Sequence, residues 1–309
     1  MLLGCDSSDN IQVQNVDDNQ RLSDVELQKI QKQSFPAVTG IYKFGFDLRA
    51  SPQEDTAQYL PFLDYLKQAT GYQFKLHFTP RGSTAADELG LNHTQFASIG
   101  ATSFLYAQTR FNAITLVRGL NPQGKAEYQS VFVVAPDSDI SSISDFIGRK
   151  LAFGSMDSTQ GHLIPRIMLN DHNINLQALN NYQYTGSHQN CAEAVVSKKV
   201  DICGMQDQLA KKLQDEGKVK IIHSSRYYPS SGIAANKDVP SEVREKVKQA
   251  LLDFDPIGAD SATMYHWERT EMPKGFTDSK DGDYAELRQW SIKLGFLPEP
   301  ETAVSEEKQ

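Results

Sequence analysis

Short apolar strands alternate with amphipathic helices along most of this chain. Ile41–Phe46 alternates apolar and polar side chains, which predicts a strand. Ser51-Pro52-Gln53-Glu54 then forms a capping box with proline at the first helical position, and Gly71 ends the helix that begins there. Pro61 lies inside this helix, so we expect a kink. Further strands are predicted at 72–78, 96–100, 131–134, 151–153, 183–184, 202–204 and 219–222.

This alternation favours an α/β fold with parallel sheets. There are too many strand–helix units for one compact sheet, and 309 residues are enough for two lobes of ordinary domain size. The pattern therefore predicts a two-lobed α/β protein.

The chain is acidic, with 31 Lys and Arg residues against 39 Asp and Glu residues and a net charge of −8. No block of basic residues offsets this charge, which argues against nucleic acid as a partner. A small anion is still compatible, because local donors rather than net charge govern a buried site. The sequence has no run of 18 apolar residues that would predict a membrane span.

The first residues suggest attachment to a membrane. Met1-Leu2-Leu3-Gly4-Cys5 resembles the end of a bacterial lipoprotein signal, in which the cysteine carries the lipid. Asp6 resembles the signal that keeps some such proteins at the inner membrane. Residues 1–37 are rich in Asp, Asn, Gln and Ser, so we predict a disordered tether that holds a periplasmic protein there through Cys5. A disordered start without a lipid is the alternative.

The two other cysteines are Cys191 and Cys203. A pair in an exported protein can form a disulfide, but a bridge needs Cα atoms within about 7 Å of each other. One cysteine lies at a predicted helix start and the other in the next strand, so we expect two buried thiols. No Cys/His spacing suggests zinc, and no metal or other cofactor is expected.

A turn rich in small and hydroxyl residues is the main candidate site. The apolar run Lys150–Phe153 predicts a buried strand, and Gly154–Gly161 is the turn that follows it. The apolar spacing after the turn predicts a helix. A helix N-terminus has unpaired backbone N–H groups and the positive end of the helix dipole, which attract an anion. The alternative is simple capping by Asp157 or Ser158, with Gln160 closing a capping box on Asp157.

Several motifs in order resemble one known family. They are Pro61–Leu66 with Thr70-Gly71, Phe96–Phe104, Ser144–Phe153, Ser158-Thr159-Gln160-Gly161, Thr185-Gly186-Ser187-His188, Val200–Gly204, Gly275-Phe276 and Asp283-Tyr284. From about Tyr42 to Leu297 the chain resembles the phosphate, phosphite and phosphonate substrate-binding proteins of ABC importers, which have the type-2 periplasmic-binding-protein fold. The resemblance implies two lobes joined by two crossings, with the ligand held in the cleft between them.

The same resemblance gives the expected boundaries of the lobes. Residues 38–127 with 226–298 would form lobe I, and 128–225 would form lobe II. Residues 299–309 would be a disordered tail.

The resemblance implies the main ligand contacts. Ser158 and Thr159 would donate hydroxyl hydrogen bonds to a phosphorus oxyanion, and the backbone N–H groups of Gln160 and Gly161 would add more. Gly161 permits close approach of the backbone. His188 would donate from its imidazole, with a surface or capping role as the alternative.

Further candidates lie at other strand ends. Thr102 and Ser103 would contact the ligand, whereas Phe104 replaces a family tyrosine and so removes one hydroxyl donor. Tyr128 either lines the cleft or packs at the hinge. Arg49 either binds the oxyanion through its guanidinium or lies in solvent.

One acidic candidate would contact a different part of the ligand. Asp207 either pairs with a ligand amino group, which would suit an aminoalkylphosphonate, or caps a helix.

We expect a monomeric capture protein that delivers its ligand to an ABC permease and has no enzymatic activity. A sensor that signals to a membrane kinase is one alternative. An enzyme on the same fold is another, with His188, Cys191 and Asp207 as its candidates.

Overall fold

The computed structural model describes residues 40–49 and 51–299. The predicted tether at 1–37 with Cys5, and all of the predicted tail except residue 299, lie outside the described residues. Within those two ranges, no helix is both long and apolar enough to cross a membrane.

Six strands form the first sheet. They are β1 Ile41–Phe46, β2 Gln73–Leu76, β3 Phe96–Ile99, β4 Ile114–Gly119, β12 Gly232–Ala235 and β13 Phe276–Asp278. Their order is β13-β4-β12-β3-β1-β2. Strand β1 is parallel to β2 and β3, whereas β12 is antiparallel to β3 and β4. Strand β13 is antiparallel to β4.

Five strands form the second sheet. They are β6 Ser130–Val134, β7 Lys150–Phe153, β8 Asn181–Tyr184, β9 Ile202–Gln206 and β10 Lys220–Ser224, in the order β10-β6-β9-β7-β8. Strand β7 is parallel to β8 and β9, whereas β6 is antiparallel to β9 and β10. Strands β7 and β9 are neighbours inside this sheet. The end of β7 leads into the predicted anion turn, and the end of β9 leads to Asp207.

Two short strands connect the sheets. Strands β5 Glu127–Tyr128 and β11 Tyr228–Pro229 pair antiparallel, with Tyr128 opposite Tyr228. The chain leaves the first sheet after β4, builds the second sheet, and returns through β11 so that β12 lies between β3 and β4. Both sheets are therefore mixed, and the expectation of parallel sheets is wrong for β6, β12 and β13, which run opposite to the other strands of their sheets. We propose that the two predicted lobes are the units built on these sheets.

Helices cover the sheets. They are α1 Pro52–Thr70, α2 Ala85–Gly90, α3 Ala101–Phe111, α4 Ile164–Asp171, α5 His188–Val196, α6 Asp207–Asp215, α7 Ser241–Asp253 and α8 Ala285–Lys293. Helix α1 begins where the sequence predicts, because the Ser51 hydroxyl accepts the Glu54 N–H at 3.2 Å. It ends at Gly71, whose φ of 73° suits glycine. Between these caps it is one helix that runs through Pro61.

A π-helical turn, Thr159–Leu163, leads into α4. Both His162 N–H and Leu163 N–H donate to the Ser158 carbonyl, at 3.1 and 3.0 Å. Pro165 therefore lies in the first turn of α4 rather than deep inside a longer helix. A proline lacks the N–H that later helical positions need, so the widened turn removes the conflict.

The buried apolar residues of the described chain form three clusters, one of which contains residues of both sheets. The rings of Phe62 and Trp267 stack at 4.8 Å beneath the first sheet, and Phe132 packs edge-on against Phe146 at 4.9 Å in the second. Phe296, just after α8, lies 4.6 Å from the ring of His162. The C-terminal end of the described chain thus packs against the π turn.

Cys191 and Cys203 form a disulfide, so the expectation of two free thiols is wrong. Cys191 lies in the first half of α5 and Cys203 in β9, and their Cα atoms are 5.7 Å apart. Helix α5 packs directly against β9, which brings the two side chains face to face. Both cysteines are fully buried.

The disulfide gives a stability prediction. Because it closes a loop with a sequence separation of 12 residues, the double variant Cys191→Ala/Cys203→Ala should lose about 3 kcal/mol of unfolding free energy in the chain-entropy account. Urea unfolding of both proteins measures the difference. Wild-type protein treated with dithiothreitol should approach the variant, and alkylation of unreduced, unfolded protein should leave both cysteines unmodified. Labelling of either cysteine would contradict the bridge.

Candidate functional site

The turn after β7 is both a helix cap and one wall of the cleft. The Ser158 hydroxyl accepts the Gly161 N–H at 2.8 Å, so Ser158 is the capping residue that the capping alternative named. This bond occupies one of the backbone donors expected for the ligand. The prediction that the Gly161 N–H is free to bind an anion is therefore wrong in this conformation, because the turn satisfies it internally.

Thr159 and Gln160 fix the turn to other parts of the chain. The Thr159 hydroxyl accepts the Thr102 N–H, at the start of α3, at 2.9 Å. The Gln160 side chain donates to the Gln129 carbonyl at 2.7 Å, and the Gln160 carbonyl accepts from the Ser130 hydroxyl at 2.6 Å. The turn therefore contacts the crossing segment on one side and a helix of the first sheet on the other.

His188 is the first residue of α5 and lies against the turn. The Ser187 hydroxyl caps this helix by accepting the Asn190 N–H at 3.1 Å. The His188 side chain is 7% exposed, and burial, opposed by Glu271 and aided by Arg49, lowers its pKa to about 4. The imidazole is therefore neutral at pH 7, and one ring nitrogen carries a hydrogen that can be donated.

The first sheet contributes three charged side chains. Arg49 forms an ion pair with Glu271, and its Nη1 lies 3.5 Å from the Ser231 hydroxyl. Burial lowers the pKa of Arg49, and the Glu271 carboxylate raises it. The resulting pKa lies above the ordinary value of arginine, so the guanidinium is charged. The Asp47 carboxylate accepts the Gly100 N–H at 2.8 Å. Burial raises the pKa of Asp47 to about 6, although Arg49 and the Gly100 N–H oppose it.

These groups enclose a cavity of about 30 Å³. Its lining residues are Asp47, Leu48, Arg49, Gly100, Tyr128, Ser155, Ser158, Thr159, Gln160, His188, Ser231 and Glu271. Among the described residues, no hydrogen-bond partner is present for Arg49 Nε and Nη2, His188 Nδ1 or the Thr102 hydroxyl, all of them buried. Buried polar groups usually have partners, and of these residues Arg49 and His188 line the cavity, so it is a candidate site for a polar ligand.

Tyr128 lies within the cleft rather than only at the hinge. Burial and the Glu271 carboxylate raise the pKa of Tyr128, so the phenol is protonated and can donate. Its hydroxyl is close to the hydroxyls of Thr159 and Ser231. The same residue also lines a second, larger cavity of about 480 Å³.

Five candidates from the sequence are not among the residues that line the small cavity: Thr102, Ser103, Phe104, Gly161 and Asp207. Phe104 is buried against the ring of Tyr284 at 5.2 Å, because its position on α3 faces the core. Ser103 approaches the Asp47 carboxylate and so supports it rather than lining the cavity. Asp207 pairs with Lys211 at 2.8 Å, one turn further along α6, and lines the larger cavity.

Sequence reasoning missed Asp47, Ser231 and Glu271. Asp47 stands two residues before Arg49 at the end of β1, and the carboxyl ends of parallel strands are where ligands bind in such sheets. That position could have identified it. Ser231 and Glu271 lie far along the chain from Arg49, and no local pattern marks them.

The chain is similar to one family of known proteins. The family model of ABC transporter phosphonate periplasmic substrate-binding proteins matches residues 44–284. The chain belongs to this family. The phosphonates-binding periplasmic protein of Escherichia coli K12 is 25% identical over 231 residues, covering 72% of this chain and 68% of that protein. The phosphate-import protein PhnD of Mycolicibacterium smegmatis is 25% identical over 267 residues, 79% of each chain.

The fold is shared with a solved structure, that of PhnD1 from Prochlorococcus marinus in complex with methylphosphonate. It has a TM-score of 0.75 at 17% identity and covers 84% of this chain and 99% of that one. This likeness confirms the two-lobed periplasmic-binding-protein fold that the resemblance implied. Members of the family are periplasmic substrate-binding subunits of ABC transporters.

Gly161 gives a steric prediction. A Cβ at this position would lie 2.8 Å from Ser158 Oγ, 3.0 Å from His188 Cε1 and 3.1 Å from the Gly154 Cα. Gly161→Ala should therefore lower the free energy of unfolding by about 1–3 kcal/mol. Gly282→Ala is the matched control, since a Cβ there meets nothing within 4 Å. Equal thermal midpoints for the two variants would contradict the close packing of this turn.

His188 gives a pH prediction. Its pKa is about 4 in the folded protein against an ordinary 6.5, so the unfolded chain binds more protons between these values. The stability that neutral His188 contributes is thus lost as pH falls through that window. Between pH 7 and pH 5, wild type should lose about 2 kcal/mol more than His188→Gln.

The Asp47 pKa is raised, so its effect on stability has the opposite sign, but Asp47 is present in both proteins. The difference between wild type and His188→Gln therefore isolates the histidine. Urea unfolding at the two pH values measures it, and parallel pH profiles would count against a buried neutral imidazole.

Proposed function

We propose that this protein captures a small phosphorus oxyanion between its two lobes and delivers it to the membrane subunits of an ABC importer. Phosphate, phosphite and alkylphosphonates form the ligand class. The proposal rests on one observation above all: buried donors without partners approach a single cavity from both sheets. Arg49 comes from the segment after β1 and His188 from α5 on the second sheet, and both line the cavity. Thr102 on α3 is joined to the cavity through its N–H, which donates to the lining residue Thr159.

These donors suit an anion in number and kind. A hydrogen bond to a charged acceptor contributes about 1.5–3 kcal/mol, and a guanidinium can make two to one oxyanion. Three or four such bonds reach the roughly 8 kcal/mol of micromolar binding. The relatives support the class of ligand, since one is a phosphonates-binding protein, one a phosphate-import protein, and one was solved with methylphosphonate.

The size of the cavity implies that the lobes must separate to admit the ligand. A cavity of about 30 Å³ corresponds to roughly one water molecule, which is smaller than any phosphonate. The Thr102–Thr159 hydrogen bond spans the cleft and would break as the lobes part. Opening and closing around a ligand is the hinge motion of two-lobed binding proteins.

Delivery to a permease, rather than chemistry, is the role that the site favours. Cys191, one of the three side chains considered for catalysis, is bonded to Cys203 and has no thiolate to offer. The disulfide also suits an oxidising compartment outside the cytoplasm. We further propose that the protein acts as a monomer and that Cys5 carries the lipid that holds it at the membrane.

Calorimetric titration with phosphate, phosphite, methylphosphonate and 2-aminoethylphosphonate tests the function. At least one should bind with micromolar or tighter affinity, and phosphorus NMR should show it unchanged after incubation. Ser158→Ala/Thr159→Ala should weaken that binding at least about tenfold, because two hydroxyl contacts are lost.

Ser197→Ala is the control for the double variant. It removes an exposed hydroxyl at the far end of α5, the helix that begins with His188, and should bind as wild type does. If none of the four compounds binds, or if the double variant binds as tightly as wild type, the assigned function and site are wrong.

A further inference from the structure

The small cavity carries more negative than positive charge. Two carboxylates, Asp47 and Glu271, and one guanidinium, Arg49, are the charged groups among its lining residues, and His188 is neutral at pH 7. Arg49 forms its ion pair with Glu271. The uncompensated negative charge in this cavity is therefore that of Asp47.

Asp47 is held in place as a hydrogen-bond acceptor. One carboxylate oxygen accepts the Gly100 N–H at 2.8 Å, and the Ser103 hydroxyl approaches the same carboxylate. An ionised carboxylate has about four lone-pair sites, so these contacts leave others for a ligand. A ligand oxygen that is also ionised would be repelled, because both groups are acceptors and both are negative.

A ligand can form a hydrogen bond with the Asp47 carboxylate only by donating a hydrogen of its own. Phosphate, phosphite and alkylphosphonates retain a P–OH group in their monoanions near neutral pH, whereas sulfonates and sulfate carry none. The other ligand oxygens would find donors, since Arg49 Nε and Nη2, His188 Nδ1 and the Thr102 hydroxyl are buried without partners in the described chain. His188 and Thr102 are more than nine-tenths buried.

We propose that Asp47 is a specificity-determining residue that accepts a hydrogen bond from a ligand P–OH group and thereby excludes sulfonates of the same shape and charge. This inference rests on the proposed function, because it names which oxyanions that site accepts. Discrimination comes from an unfavourable contact with the wrong ligand as well as a favourable one with the right ligand. The same Arg49, His188 and Thr102 donors would otherwise serve either anion.

Methylphosphonate and methanesulfonate make the sharpest comparison. Their monoanions have the same charge and nearly the same shape, and they differ in the central atom and in one acidic hydrogen. In calorimetric titration at pH 7, wild type should bind methylphosphonate at least about tenfold more tightly. Methanesulfonate leaves this acceptor facing an ionised oxygen unless Asp47 first takes up a proton, and its pKa of about 6 makes that about tenfold unfavourable at pH 7.

Asp47→Asn should reduce this ratio at least about tenfold, because the amide has no charge and can donate to a sulfonate oxygen. Asp201→Asn is the matched control. The Asp201 carboxylate also accepts one backbone N–H at 2.8 Å, from Lys150, but it does not line the cavity. Asp201→Asn should leave the ratio of the two affinities at the wild-type value. Asp47→Ser is the second variant if the amide fails to fold, and it too should reduce the ratio.

The outcomes separate the two proposals. Wild-type binding of methanesulfonate within about threefold of methylphosphonate overturns the role of Asp47 while leaving oxyanion capture intact. An unchanged ratio of the two affinities in a folded Asp47 variant also overturns the role of Asp47. Failure of every phosphorus oxyanion to bind wild type overturns the proposed function, and this inference with it.

Discussion

Two helical N-termini face each other across the cleft, and the structure depends on how their backbone donors are satisfied. Helix α3 points its first N–H groups at the cleft from the first sheet, and the π turn does so from the second. The Asp47 carboxylate accepts the Gly100 N–H, and the Thr159 hydroxyl accepts the Thr102 N–H. Without acceptors between them, the positive ends of the two helix dipoles would repel each other.

This arrangement explains why an anion site and a closed cleft are linked. The side chains that satisfy the donors in the closed conformation are themselves polar groups of the cavity. In the proposed opening of the lobes, the Thr102 N–H and the Thr159 hydroxyl would both lose a partner, and water or an anion would replace it. A ligand that offers several acceptor oxygens can satisfy donors from both lobes at once, which favours closure around it.

Local sequence patterns predicted the parts of the site that local geometry determines. The strand, turn and helix start that contain Ser158 were evident from a few adjacent residues. The substitution of Phe104 for a hydroxyl donor was also visible, and the side chain indeed lies in the core against Tyr284. The π turn that accommodates Pro165 was not visible, because one extra residue in a helical turn leaves the apolar spacing almost unchanged.

Features that depend on long-range packing could not be predicted in the same way. The disulfide forms because α5 packs against β9, and that contact is set by the sheet order, which spacing alone does not give. The ion pair of Arg49 with Glu271 depends on the return of the chain to the first sheet after the second is complete. Each residue considered alone fits an ordinary surface charge, and only the fold makes them neighbours.

The positions of Asp47, Arg49 and Glu271 bear on how the family distinguishes its ligands. The E. coli and M. smegmatis relatives are each 25% identical to this chain, yet one is named for phosphonates and the other for phosphate import. A turn that donates hydroxyls suits any tetrahedral oxyanion, so it supplies affinity without choosing between them. Choice requires groups that favour one ligand and disfavour another. In this chain the charged groups that could do so, Asp47, Arg49 and Glu271, all come from the first-sheet side of the cavity, opposite the turn.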